Sequence, residues 1–100
     1  MTGTATAMTE NELKQAVLEL ARRGGWAVYH VPQARIRNGG GAGYPDLTLA
    51  RDGEVVWIEL KQERTQPTVQ QLAWAAALGR AWHLLRPSDL ESGRAAELLR

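Results

Sequence analysis

The chain has 100 residues, which is enough for one domain, and a formal net charge of +1 at pH 7, which argues neither for nor against nucleic acid. It has no cysteine, which excludes a disulfide scaffold and a thiolate zinc site and fits a reducing cytoplasm. No apolar run approaches the roughly 18 residues of a membrane span, and residues 1–8 lack signal-peptide features, so we interpret them as a disordered leader.

The first predicted element is a helix over residues 9–23. Thr9 can serve as its N-cap, and Glu12 stands at the third helical position, as in a capping box. Apolar residues recur at helical spacing along it, and Gly24 follows its end. Residues 26–31 are rich in aromatic and β-branched side chains, which is typical of a strand.

A glycine-rich loop is predicted over residues 32–43. It is long for so small a domain, and such loops are usually functional or mobile. It carries Arg35 and Arg37, whose guanidinium forks match phosphate oxygens, so both are candidate DNA contacts. A solvated loop without a ligand explains the two arginines equally well.

Two strands are predicted next, over residues 44–51 and 54–61, because Asp52-Gly53 between them is a strong signal for a two-residue hairpin turn. The later elements are a polar connection over 62–67, a helix from Thr68 to about Gly79, a strand over 81–86 and a helix over 88–99. The middle strands are apolar on both faces and need cover on both sides. The predicted fold class is therefore α/β, a mixed sheet flanked by helices in the order α-β-β-β-α-β-α.

The hairpin predicts which side chains face each other. If Asp52-Gly53 is the turn, Asp46 lies directly opposite Glu59, and Lys61 shares their face of the sheet two residues further on. A four-residue loop with the same centre would keep this register, whereas a three-residue loop would break it.

Two carboxylates that face each other repel, so the pattern calls for compensation. Mg²⁺ prefers oxygen ligands, and the carbonyl of Leu60 could join Asp46 and Glu59 in binding it. Lys61 beside the metal could orient an attacking water or neutralise a phosphate, which suits phosphodiester hydrolysis. Taken singly, Pro-Asp is a common turn and Glu-x-Lys is often a solvated face, so a structural role stays open.

Several motifs together resemble one family. They are Gly43-Tyr44-Pro45-Asp46, Trp57-Ile58-Glu59-Leu60-Lys61 and Thr68-Val69-Gln70-Gln71, with flanking matches at Met8-Thr9-Glu10, residues 25–30 and residues 86–90. Over about residues 8–91 the chain resembles the virus-type VRR-NUC branch of the PD-(D/E)xK nuclease superfamily, in its phage-like stand-alone form. The resemblance implies a restriction-endonuclease-like core in the order α-β-β-β-α-β.

The resemblance also implies roles for individual residues. Asp46 and Glu59 would bind Mg²⁺ or Mn²⁺ with help from the Leu60 carbonyl, and Glu10 would match an additional acidic residue at the metal site. Lys61 would be the catalytic lysine. Gln71 would lie near the scissile phosphate, although Gln70 is an alternative one position away.

The implied function is that of a divalent-metal-dependent DNA endonuclease, selective for branched or Holliday-junction-like DNA. Such junctions have two-fold symmetry, so we expect a homodimer, with DNA as its partner and no organic cofactor. Two alternatives stay open. One is a DNA-binding or assembly module that does not cut, and the other is a metal-dependent phosphatase, which the lack of a phosphate-binding glycine motif disfavours.

Other polar and aromatic residues have simpler explanations. Glu12 and Glu19 are rivals of Glu10 on the first helix, but capping or solvation accounts better for both. His30 is as compatible with a structural role as with a place near the site, and His83 has no partner at metal-ligand spacing. Each tryptophan lies in an apolar stretch and is predicted to be core: Trp26, Trp57, Trp74 and Trp82.

Overall fold

The computed structural model describes residues 8–30 and 41–100. The predicted leader up to residue 7 and the candidate DNA contacts Arg35 and Arg37 lie outside the described residues. The elements are α1 (Glu10–Arg23), β1 (Ala27–His30), β2 (Leu47–Arg51), β3 (Glu54–Leu60), α2 (Val69–Leu78), β4 (Trp82–Leu85), α3 (Pro87–Glu91) and α4 (Arg94–Leu99). This is the predicted α/β class, and within the described ranges no helix is long and apolar enough to span a membrane.

Helix α1 begins at the predicted capping box. The Glu12 N–H donates to the Thr9 hydroxyl at 3.0 Å, and the Thr9 N–H donates to the Glu12 carboxylate at 2.9 Å. The pair satisfies two backbone donors that the first turn leaves free. Leu13, Val17 and Ala21 form the buried stripe of the helix. Glu12 is therefore a capping residue.

The sheet has the order β1-β2-β3-β4. Strands β1, β2 and β3 are antiparallel, whereas β4 runs parallel to β3 and is reached through the crossover helix α2. The β2–β3 turn has φ of 53° at Asp52 and 81° at Gly53, the left-handed pair that a type I′ hairpin turn requires. The resulting register pairs Arg51 with Glu54 and Leu47 with Ile58, as predicted.

The two faces of the sheet are covered to different degrees. One face carries the core, where the buried residues of α1 meet Leu47, Leu49, Ile58 and Leu60. The opposite face carries Trp57 and Glu59, and α2 lies on that side without burying any of its ten residues. The site therefore lies under a helix that is only lightly packed.

Some predicted boundaries were wrong. The last helix is not continuous over 88–99, because Gly93 adopts φ of 86° and separates α3 from α4. Strand β2 begins at Leu47 rather than at residue 44, since Pro45 has no N–H to donate to a strand ladder.

The prediction of core tryptophans holds fully for one of the four. Trp26 is buried and donates its indole N–H to the Leu99 carbonyl at 2.9 Å. Trp57, Trp74 and Trp82 are only half-buried, because they lie on the side of the sheet that α2 covers incompletely. Apolar flanks thus predicted burial correctly only on the face that packs against α1.

A candidate active site at one end of the sheet

The β2–β3 pair brings Asp46 and Glu59 together. Continuing the register by one residue from Leu47 and Ile58 places the two carboxylates opposite each other. Asp46 is fixed there because one of its carboxylate oxygens accepts the Leu60 N–H at 2.8 Å. The N–H of Leu60 therefore points toward β2, so that of Glu59 points away from it. Asp46 and Glu59 accordingly form a non-hydrogen-bonded pair, the type of antiparallel pair in which opposed side chains come closest.

Pro45 explains why the ladder stops at this point. In the same register Pro45 would stand opposite Leu60, at a position where each residue normally donates and accepts a backbone hydrogen bond. Proline has no N–H, so it cannot donate to the Leu60 carbonyl. That carbonyl points to the same side as the Leu60 N–H, toward Asp46. The sequence Pro45-Asp46 therefore gathers a carboxylate and a carbonyl without a ladder donor.

Glu59 is the one charged residue that is buried in the described part of the chain, with 1% of its surface exposed. Its oxygen Oε2 accepts a hydrogen bond from the Gln71 amide at 2.9 Å and lies 3.9 Å from the Lys61 ammonium. Within residues 8–30 and 41–100, its other oxygen, Oε1, is buried and has no hydrogen-bond partner. A buried acceptor without a partner is costly, so this oxygen is a place where a proton or a cation would stabilise the protein.

Burial raises the pKa of Glu59 to about 8, and the charge of Asp46 adds to the effect while Lys61 opposes it. A hydrogen bond between the Glu59 and Asp46 carboxyl groups, which requires a proton on one of them, and the charge of Glu10 raise the pKa further. The pKa of Glu10 is also raised, first by partial burial and then by Asp46, against the opposing charges of Lys61 and Lys14. The three carboxylates thus lie within electrostatic reach of one another. Their mutual repulsion favours a bound proton or cation at neutral pH.

Gln71, rather than Gln70, faces the carboxylate. Its backbone N–H donates to the Thr68 hydroxyl at 3.1 Å, and its side-chain oxygen accepts the Thr68 N–H at 2.8 Å, which forms the capping box of α2. The same amide uses its nitrogen on Glu59. One side chain therefore fixes the start of the helix and holds a site carboxylate.

A close backbone contact fixes the position of α2 over the site. Gly43 has φ of 83°, and a Cβ added to it would lie 2.5 Å from the carbonyl carbon of Gln70. Only glycine fits both that conformation and that space. The approach of Gly43 to Gln70 places Gln71 over the end of β3.

Aromatic side chains support the same region, and the sequence analysis did not identify their role. Trp57 donates its indole N–H to the Tyr44 hydroxyl at 2.8 Å, and that hydroxyl also lies 3.1 Å from the Thr48 hydroxyl. The Tyr44 ring meets Trp74 edge to face at 4.9 Å, and Trp74 donates to the Ala42 carbonyl at 3.1 Å. The alternation of Tyr44, Asp46 and Thr48 on one face of an extended segment was the available signal.

The donors at this end of the sheet fit a divalent cation by their chemistry. Mg²⁺ is typically bound by one or two carboxylates and keeps several waters, which matches Asp46, Glu59 and the Leu60 carbonyl. Among the described residues, no group of three or more His, Cys, Asp or Glu side chains is spaced to hold a metal ion. Glu10 lies close enough for its charge to contribute to the raised pKa of Glu59.

Of the remaining candidates, Glu19 and His83 have other neighbours, whereas His30 ends β1 opposite Leu47, the residue next to Asp46. Glu19 is paired with Arg22 and Arg23 on the exposed side of α1, so it is a solvated ion pair as expected. His30 is exposed on β1. Burial and the nearby charge of Arg94 lower the pKa of His83, which fits a neutral structural histidine on β4.

Comparison with known proteins identifies no relative. The chain matches no protein-family model, no curated protein and no solved structure.

Proposed function

We propose that this protein is a divalent-metal-dependent DNA nuclease that hydrolyses phosphodiester bonds. The observation that carries the proposal is the state of Glu59, a buried carboxylate with one oxygen lacking a partner, opposed by Asp46 and adjacent to Lys61. Buried groups whose pKa is raised by burial and by a specific charge partner are typical of functional sites.

Each residue of the site would have a role that follows from its chemistry. Asp46, Glu59 and the Leu60 carbonyl would hold Mg²⁺ or Mn²⁺, which lowers the pKa of bound water and stabilises charge on a phosphate. Lys61, whose side chain is 11% exposed, lies 3.9 Å from Glu59 and can neutralise an oxygen of the phosphate. Gln71 orients Glu59, and Glu10 adds negative charge that favours a cation.

The substrate class and the assembly rest on the family resemblance. It supports branched or Holliday-junction-like DNA as the substrate and a homodimer whose two-fold axis matches that of the junction. Two sites related in this way could cut the paired strands.

A DNA-binding module that does not cut is the second candidate. The observation in its favour is that the described residues contain no closed group of three metal-ligating side chains. This alternative predicts that DNA binding needs no metal and that Lys61 can be replaced without loss.

Cleavage assays decide between the two. Supercoiled plasmid, linear duplex and a four-way junction are incubated with the protein in Mg²⁺, Mn²⁺ or EDTA. The variants are Asp46→Asn, Lys61→Met and, as a control, Arg80→Ala, an exposed arginine beyond the far end of α2. Metal-dependent cleavage that the first two variants lose and the control keeps would support the nuclease. Folded wild-type protein that binds but never cuts would support the module.

A further inference from the structure

The turn directly after Lys61 is held by one arginine. Arg86 follows β4. One of its guanidinium nitrogens donates hydrogen bonds to three carbonyls, those of Gln62 at 2.7 Å, Glu63 at 2.9 Å and Thr65 at 2.8 Å. The Thr65 N–H also donates to the Gln62 carbonyl at 3.3 Å and closes the turn. Three carbonyls of this turn therefore point to the same side, toward Arg86.

The peptide geometry fixes what the other side of the turn presents. A trans peptide is planar, so the N–H that follows an inward carbonyl points the opposite way. Those groups are the N–H of Glu63, Arg64 and Gln66, and within the described ranges none of them donates to a protein acceptor. The outer side of the turn is accordingly a row of free backbone donors, which favours an anion.

The side chains of the turn divide in the same way. The Glu63 carboxylate accepts the Ser88 N–H at 3.0 Å. Hydrogen bonding from the Ser88 side chain, and then from its backbone, lowers the pKa of Glu63, so its negative charge faces the start of α3. Arg64 is exposed and forms no ion pair within the part of the chain that the structure describes. In this turn the Glu63 carboxylate therefore faces the protein, whereas Arg64 is exposed to solvent.

We propose that this turn binds a DNA phosphate through Arg64 and the outward N–H groups, with Arg86 as the positioning residue. The inference rests on the proposed function, because it takes the DNA strand to pass Lys61. Three residues span at most about 10 Å, and phosphates on one strand follow each other at about 3.4 Å of axial rise. The turn thus reaches a phosphate close to the one at the cleavage position.

The salt dependence of DNA binding tests Arg64 without any need for cleavage. Wild-type protein, Arg64→Ala and Arg80→Ala are titrated against a fluorescent duplex in EDTA over a series of salt concentrations. Loss of one phosphate contact should lower the slope of log affinity against log salt by about 0.9 and weaken binding at low salt by about 5- to 10-fold. Arg80→Ala removes the same charge elsewhere and should behave as wild type.

A second set of variants tests Arg86. Arg86→Met should lower the salt slope as much as Arg64→Ala does, and the double variant should lower it no further, whereas Arg86→Lys should restore part of it. A merely structural role would change the melting temperature and leave the slope of the folded protein unchanged. If Arg86→Met fails to fold, Arg64→Ala still decides.

The outcomes separate this inference from the proposed function. Wild-type protein that cuts DNA while Arg64→Ala keeps the wild-type slope would overturn the phosphate site alone. If the wild-type protein binds DNA without cutting it, and Arg64→Ala lowers the slope of log affinity against log salt, the result would support the phosphate site and count against the nuclease. Wild-type protein that binds no DNA would overturn both.

Discussion

The two ends of the β2–β3 hairpin differ in how well their charged side chains are paired. At the turn end, the Arg51 guanidinium lies 4.1 Å from the centroid of the Trp26 ring and donates to the Gly24 carbonyl at 2.7 Å and to the Arg100 carbonyl at 3.2 Å. At the other end, Glu59 is buried beside Asp46, and one of its oxygens has no partner among the described residues.

This difference in pairing separates an end of the hairpin whose charge stabilises the fold from an end whose charges are incompletely paired. Arg51 gains an aromatic face and two carbonyl acceptors, so its charge supports the packing of the chain. The two carboxylates face each other with only the Leu60 N–H, the Gln71 amide and the more distant Lys61 ammonium as partners, and burial of carboxylate charge is costly. Conflicts of this kind between local rules and the fold are expected at functional sites. The turn end is therefore the structural end, and the Pro45 end is the candidate reactive end.

The largest expected effect comes from Glu59→Gln. If the proposed function is correct, this change removes a metal ligand and should lower the cleavage rate at least about 100-fold, a loss typical of groups that stabilise the transition state. The same change should not destabilise the protein at neutral pH, because Glu59 is already mostly protonated in the folded protein there and glutamine has a similar size and no charge. Cleavage kinetics and urea unfolding of one protein preparation measure both, and a variant that loses stability and keeps cleavage would contradict the comparison.

The dependence of stability on pH sharpens the same point. The pKa of Glu59 in the folded protein is about 8, above its ordinary value of 4.5, so folded molecules hold a proton that unfolded molecules release. The free energy of unfolding should therefore fall as pH rises from about 4.5 through 8, by up to a few kcal/mol, and Glu59→Gln should abolish this decline. Unfolding curves at several pH values, without metal, test it, and equal slopes in both proteins would show that Glu59 titrates normally.

At the turn end, Arg51→Met should act on stability alone. Loss of the contact with Trp26 and of two charged hydrogen bonds should cost about 2–3 kcal/mol, which lowers the melting temperature by roughly 10–20 °C. Cleavage per folded molecule should not change, since Arg51 lies at the far end of both strands. A loss of activity at a temperature where the variant is folded would mean that the two ends are coupled.

The smallest effect is expected for Gln71→Ala, with Gln70→Ala as the matched control. Gln71→Ala removes half of a capping box and the hydrogen bond to buried Glu59 and should cost about 1–2 kcal/mol, whereas exposed Gln70 should cost little. Thermal unfolding measures both. Because alanine favours a helix at least as well as glutamine, equal stabilities of the two variants would mean that the Gln71 amide has no specific role.

Local rules account for what could be predicted from the sequence. Asp52-Gly53 determined the register, and through it the position of Asp46 opposite Glu59. The capping box at Thr9 followed from residue types three positions apart, and Thr68 was predicted to cap the second long helix. These features depend on neighbours in the chain, so the sequence contains the information directly.

The features that could not be predicted depend on contacts between distant segments. Arg86 holds a turn that lies more than twenty residues earlier in the chain, and Tyr44 accepts the indole N–H of Trp57 from another strand. No spacing rule connects such residues before the sheet is assembled. The break at Gly93 is different, because a glycine inside a predicted helix was a usable signal of its end.

The shallow packing of α2 has a consequence for how long the site stays assembled. None of its residues is buried, and the helix is held by its cap at Thr68, by the approach of Gly43 and by the contacts of Trp74. We therefore expect its amides to exchange with solvent through local opening rather than global unfolding. Each opening that frees the first turn withdraws Gln71 from Glu59. The Gln71–Glu59 hydrogen bond should therefore last only as long as the first turn of α2 stays closed, and a molecule bound across α2 should lengthen that time.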